Sequence, residues 1–257
     1  MRIILSLLLF LGITTFAWAE LKTQTVDYKQ GDAVLEGYLV YDDHFQGKRP
    51  GVLVAHEWLG LNDYIKMRAD MLAHLGYTVF AVDIYGKGVR PQTVKEAGEL
   101  SSKFKNDRSL LQSRVQAGLE VLKNQSNVDQ SRLAAIGYCF GGTAALELAR
   151  SGADLKGVVT FHGGLSNPTP ENAKNIKAKI LVLHGDSDTF VSPAEVAAFE
   201  KEMNDAKINY RIIKYPGAVH GFTNPANKGE LPGALYNADA DKKSWQEMKD
   251  FLNQINS

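Results

Sequence analysis

Gly137-Tyr138-Cys139-Phe140-Gly141-Gly142 lies between a short apolar run, Leu133 to Ile136, and an alanine-rich helical pattern, Thr143 to Arg150. That context reads as strand, sharp turn, helix. A turn this tight needs glycine two residues either side of its apex, where a side chain would strike the neighbouring element. The apex residue is pushed out of the backbone toward the mouth of a sheet. With a nucleophile at the apex the pattern is Gly-x-Nuc-x-Gly. Here the apex is a thiol, and Cys139 is the one cysteine of the chain. The competing reading is a small packed residue, since free cysteine is often buried.

The sequence around the elbow alternates. Thr25 to Tyr28 and Val34 to Tyr41 read as strands joined by a turn at Lys29-Gln30-Gly31-Asp32. Gly51 to Ala55 is a short apolar run of the kind buried in parallel sheets. Tyr64 to Leu75 reads as a helix capped by Asn62 or Asp63, and Thr78 to Val82 as a strand. Helices are predicted over Thr93 to Phe104, Leu110 to Lys123, Gly142 to Arg150, Pro193 to Met203 and Lys242 to Ile255. Strands are predicted at Gly157 to Phe161, Ile180 to Leu183 and Tyr210 to Tyr215. Such alternation implies an α/β fold with a mostly parallel sheet and helices on both faces. Ligands then bind beyond the carboxyl ends of the strands.

The chain has 257 residues, enough for one large domain. Its 29 basic and 29 acidic residues balance, so nothing points to nucleic acid or an anionic membrane. Met1-Arg2, the apolar run Ile3 to Phe16 and Ala17-Trp18-Ala19 form the three regions of a secretory signal peptide. The expected organisation is therefore a leader over 1–19 and a single domain over 20–257, exported to a periplasmic or extracellular space. A monomer is the default expectation. In an oxidising compartment an unpaired thiol is a hazard, which is easier to understand if Cys139 has a task.

Three residues fall just after predicted strands. Cys139 follows Leu133 to Ile136, Asp188 follows Ile180 to Leu183, and His220 follows Tyr210 to Tyr215. Nucleophile, acid, histidine is the chain order of α/β-hydrolases. A thiol with a free pKa of about 8.5 is mostly protonated near neutrality. A histidine can take its proton and return one to the leaving group. An aspartate on the other ring nitrogen fixes the tautomer, and the start of the following helix favours the thiolate.

With these residues in view the chain resembles the dienelactone hydrolase family of the α/β-hydrolase fold. The likeness runs from about Leu35 to the last helix. It rests on Ala55-His56-Glu57-Trp58-Leu59-Gly60-Leu61-Asn62, Asp83-Ile84-Tyr85-Gly86-Lys87-Gly88, the elbow, Gly185-Asp186-Ser187-Asp188-Thr189-Phe190-Val191 and His220-Gly221-Phe222. The resemblance implies Cys139 as nucleophile, His220 as base, Asp188 as its orienter and Glu57 beside the thiol. It also implies an oxyanion hole from the backbone N–H groups of Trp58 and Phe140. Two family arginines hold a substrate carboxylate. One falls at Lys87, which keeps the charge but not the bidentate fork. The other, which also pairs with the family glutamate, falls at Asn224. A less anionic ester or lactone is thus as consistent as a dienelactone.

Other candidates read more plainly. Asp186 suits a turn. His184 reads as a hydrogen-bonded core residue, His162 as a possible crevice residue, and His44 and His74 as solvent-facing. His56-Glu57 lacks the second histidine of a zinc motif, since the fifth position is Gly60, and no dinucleotide fingerprint opens a helix, so neither metal nor cofactor is expected. Trp58, Tyr85 and Phe222 are expected as crevice walls, with Lys87, Tyr85 and Phe222 as substrate-binding residues. The function so implied is a cysteine-dependent hydrolase of small esters or lactones, acting through an acyl-thioester. The alternatives are a thioesterase or general carboxylesterase, a non-catalytic binding protein of the same fold, and a thiol redox sensor, which would lack a resolving cysteine.

Overall fold

The computed structural model describes residues 21–257; the expected leader over 1–19 lies outside them. The chain opens with β1 (Leu21–Gln30) and β2 (Ala33–Asp42), an antiparallel hairpin. Gly31 at φ +55° occupies its two-residue turn, at the position a type II′ turn reserves for glycine. There follow β3 (Arg49–Ala55), α1 (Asp63–Ala73), β4 (Thr78–Val82), α2 (Val94–Asn106), α3 (Arg108–Lys123), β5 (Val128–Tyr138) and α4 (Phe140–Arg150). The rest comprises β6 (Gly157–Phe161), a short 3-10 helix (Pro170–Asn175), β7 (Lys179–Gly185), α5 (Pro193–Asp205), β8 (Tyr210–Tyr215) and α6 (Ala238–Asn256).

The strands form one sheet in the order β1-β2-β4-β3-β5-β6-β7-β8. β1, β2 and β4 are joined by antiparallel pairings, and every pairing from β4 to β8 is parallel. Period-two alternation divides the side chains between two cores. Leu53, Ala55, Phe80 and Val82 face α3, α4 and α5. Val52, Val54, Val79 and Ala81 face α1 and α6. The expected α/β-hydrolase architecture is therefore present, and it sets the carboxyl ends of β3, β5, β6, β7 and β8 along one edge.

Boundaries shift more than identities. β5 starts five residues before the apolar run because Val128 and Asp129 pair with Arg49 and Pro50, before a register shift at Pro50/Gly51. α6 starts at Ala238, where Asn237 caps it through Ala240 N–H. The 3-10 helix was not foreseen; its lone buried residue, Ala173, gives no periodic signal.

Candidate active site

The elbow owes its shape to three contacts. A Cβ on Gly137 would sit 1.9 Å from the Gly141 carbonyl oxygen. On Gly141 it would lie 2.2 Å from Ala55 O, and on Gly142 2.2 Å from Thr160 Oγ1. These are impossible distances, so the strand–helix contact fixes all three glycines. Between them Cys139 is held at φ 54°, ψ −118°, a conformation that side chains rarely adopt. Its N–H donates to Phe161 O at 3.0 Å.

The ends of β5, β7 and β8 bring the three residues together. His220 Nε2 is 3.1 Å from Cys139 Sγ, and His220 Nδ1 is 2.9 Å from Asp188 Oδ2. The second carboxylate oxygen, Oδ1, accepts from Phe190 N–H and Val191 N–H at 2.8 and 3.2 Å. Asp188 is thus aimed by its own loop, and Asp186 stays exposed. Burial pushes the His220 imidazole down, but the Cys139 sulfur and the Asp188 carboxylate outweigh it and raise its pKa to about 10.

The turn after β3 carries Glu57 and Trp58. Its carbonyls are tied down: Glu57 O accepts from Gly60 N–H at 3.1 Å and lies 2.6 Å from His56 Nδ1, and Trp58 O accepts from the Tyr85 hydroxyl at 2.9 Å. His56 Nε2 accepts from Ile84 N–H, so Nδ1 holds the ring's proton. Burial holds that imidazole at about 4. The amide N–H groups of Trp58 and Phe140 find no acceptor among the described residues. Glu57 is buried beside the elbow, and burial raises its pKa against the Asn224 hydrogen bond, His220 and Arg68. Asn224 Nδ2 donates to Glu57 Oε2 at 2.7 Å, while Asn224 Oδ1 accepts from Ala226 N–H. A neutral amide therefore stands against this carboxyl in place of a cation.

These groups open on a cleft of about 530 Å³, lined by Glu57, Trp58, Cys139, Phe140, Phe190, Glu195 and His220, by α2 residues and by 227–234. Its rim carries the exposed side chains Leu59, Val94 and Phe190. α2 contributes Val94, Gly98 and Lys105, none of which sequence motifs had marked. Lys105 is the one lysine or arginine lining the cleft among the described residues.

Three expected substrate-binding residues are elsewhere. Lys87 Nζ is drawn to Asp27 (2.5 Å) and Glu36 (3.4 Å) on the β1–β2 hairpin. Tyr85 is buried and stacked on Phe104, acting on the cleft only through Trp58 O. Phe222 is fully buried against Tyr215 and His162. His162 packs behind the site and does not line the cleft. His184 is buried as expected, but its Nδ1 has no hydrogen-bond partner. Among the described residues no group of three His, Cys, Asp or Glu side chains could hold a metal ion, and no helix is long and apolar enough to cross a membrane.

Comparison with known proteins places this chain in a family. The dienelactone hydrolase family profile matches residues 35–256. A solved structure named m3DLH is 37% identical, with a TM-score of 0.89 over 91% of this chain and 98% of its own. A dienelactone hydrolase-like promiscuous phosphotriesterase from metagenomic libraries is 36% identical, with a TM-score of 0.89 over 93% and 99% of the two chains. A Synechocystis sp. protein provisionally assigned as a carboxymethylenebutenolidase is 27% identical over 90% of this chain and 96% of its own.

Proposed function

The chain belongs to the dienelactone hydrolase family, and from that membership we propose that it hydrolyses small esters or lactones through an acyl-thioester on Cys139. The observation that carries the proposal is the sequence of contacts Cys139 Sγ, His220, Asp188, whose first two members line the cleft.

His220 Nε2 lies 3.1 Å from Cys139 Sγ, and the sulfur and Asp188 raise the imidazole's basicity against burial, so it takes the thiol proton. The thiolate attacks the substrate carbonyl carbon. A C–S bond forms, and the carbonyl π electrons move to oxygen, where the Trp58 and Phe140 N–H groups receive the charge. Collapse breaks the C–O bond to the leaving group, which takes the Nε2 proton. Water then gives a proton to Nε2 and attacks the thioester. The second collapse releases the acid and returns the thiolate beside the imidazolium. Glu57, buried in the same cleft with its pKa raised, supplies a further proton site at the start of the cycle.

A panel of aryl esters, lactones and thioesters tests the assignment. Turnover of at least one class is expected; binding without turnover across the panel would favour a non-catalytic role. Phosphotriesters belong on that panel because of the 36% identical relative. Substrate charge is read separately. Lys105→Ala is expected to raise KM for a carboxylate-bearing ester about two- to fivefold, the strength of an exposed ion pair, and to spare a neutral ester. Lys87→Ala should leave both alike, because its charge is spent on Asp27 and Glu36. Equal effects of Lys105→Ala on the two esters would refute a contact with the anion.

A further inference from the structure

A chain of buried polar groups runs from α1 to the ring behind His220. Arg68 can only donate. Its Nη2 gives hydrogen bonds to Asp241 Oδ1 and Thr223 O, both at 2.6 Å, and its Nε donates to the Tyr64 hydroxyl at 3.3 Å. Tyr64 Oη lies 2.6 Å from Thr223 Oγ1, which lies 2.7 Å from His162 Nε2. Thr223 and His162 are wholly buried, and His162 Nδ1 has no partner. The His162 ring meets His220 edge-on, with centroids 5.3 Å apart.

The donors can be ordered. Run from Arg68, each hydroxyl accepts once and donates once, and His162 Nε2 ends the chain as an acceptor. The ring proton then sits on Nδ1, which is the single unpaired group. Run from His162, Nε2–H donates to Thr223 and Thr223 donates to Tyr64. That order leaves the Tyr64 proton without an acceptor as well as Nδ1 empty. One unpaired buried group costs less than two, so the first order holds.

We propose that Arg68, Tyr64 and Thr223 form a directed hydrogen-bond chain that locks His162 in its neutral Nδ1–H form and leaves His220 as the imidazole that carries charge beside Cys139. The inference rests on the assignment of Cys139 and His220 above. Protonating His162 at Nε2 would reverse its bond to Thr223 and leave the Tyr64 proton without an acceptor. It would also set a second cation against the His220 imidazolium. His162 is faced by His220, His184, Arg68 and Tyr138, and His220 by Cys139, Asp188, Glu57 and His184. Burial, with the neighbouring cations adding to it, keeps His162 well below the ordinary histidine range. Thr223 and His162 are positioning residues, since neither lines the cleft.

The test is Thr223→Val, with Thr223→Ser as the conservative variant, measured as kcat/KM for an activated ester against pH. Thr223→Val is expected to lower kcat/KM about tenfold or more and to move the acid limb to higher pH, as His162 becomes free to take a proton. Thr223→Ser should restore both, and Tyr64→Phe should move the limb in the same direction. Nitrogen-15 NMR of the unmodified protein gives a readout independent of any variant's folding: His162 should show protonated Nδ1 and bare Nε2. A proton on Nε2, or an acid limb that stays in place in folded Thr223→Val, overturns the proposal. Retained turnover in Cys139→Ala would overturn the nucleophile assignment instead, which separates the two failures.

Discussion

Cys139→Ala is expected to lose at least about 10⁴-fold in kcat on any ester the protein turns over, by analogy with nucleophile removal in other acyl-transfer enzymes. The substitution deletes one atom, Sγ, and with it the covalent route. The Trp58 and Phe140 N–H groups remain, so residual hydrolysis reflects oxyanion stabilisation of direct water attack. The fold should persist, because the elbow is fixed by the backbone contacts of Gly137, Gly141 and Gly142 and not by the thiol. An unchanged thermal unfolding midpoint alongside lost turnover separates chemistry from stability. Hydrolysis retained near the original rate would sink Cys139 as nucleophile.

Asp188→Asn is the second large effect, expected to lower kcat about 10⁴-fold. Asp188 Oδ2 accepts from His220 Nδ1, while Oδ1 is occupied by two backbone N–H groups. An asparagine keeps its carbonyl oxygen on those N–H groups and turns its amide toward His220. Nδ1 must then accept, the ring proton moves to Nε2, and the imidazole can no longer take a proton from sulfur. The pH dependence carries the sign. The His220 pKa is raised to about 10, so the imidazolium is present below that value and is lost as pH rises through it. Removing the carboxylate removes part of the rise, so the alkaline limb of kcat/KM should move to lower pH. A rate and limb both unchanged would show that Asp188 does not orient His220.

Much of the site was legible because its residues follow strands. The apolar runs before Cys139, Asp188 and His220 place each at one edge of a parallel sheet, and the fold does the rest. Depth was not legible. Tyr85 and Phe222 belong to the motifs, yet both lie in turns beyond the strands and pack inward, on Phe104 and on His162, residues distant in the sequence. The pairing of Lys87 was not legible because Asp27 lies 60 residues earlier, and nothing local to either residue shows that the hairpin lies beside Lys87. The α2 wall was invisible for a related reason: Val94, Gly98 and Lys105 carry no chemical motif and matter only by placement. Asn224 could be found as a departure from a pattern, but its amide orientation depends on Ala226 N–H.

The two walls of the cleft have different histories open to them. The reacting groups stand on strand ends packed so closely that a methyl group added to Gly137 or Gly141 would fall about 2 Å from backbone oxygen. The rim stands on α2 and exposed side chains such as Val94 and Phe190. Surface substitutions of that kind usually change stability by no more than about 0.5 kcal/mol. Mutation can therefore drift through the rim while the chemistry is conserved beneath it. A lineage built this way can exchange substrates faster than it can exchange mechanisms, and a selection for new esters should collect its changes on α2 and residues 227–234 before it touches the elbow.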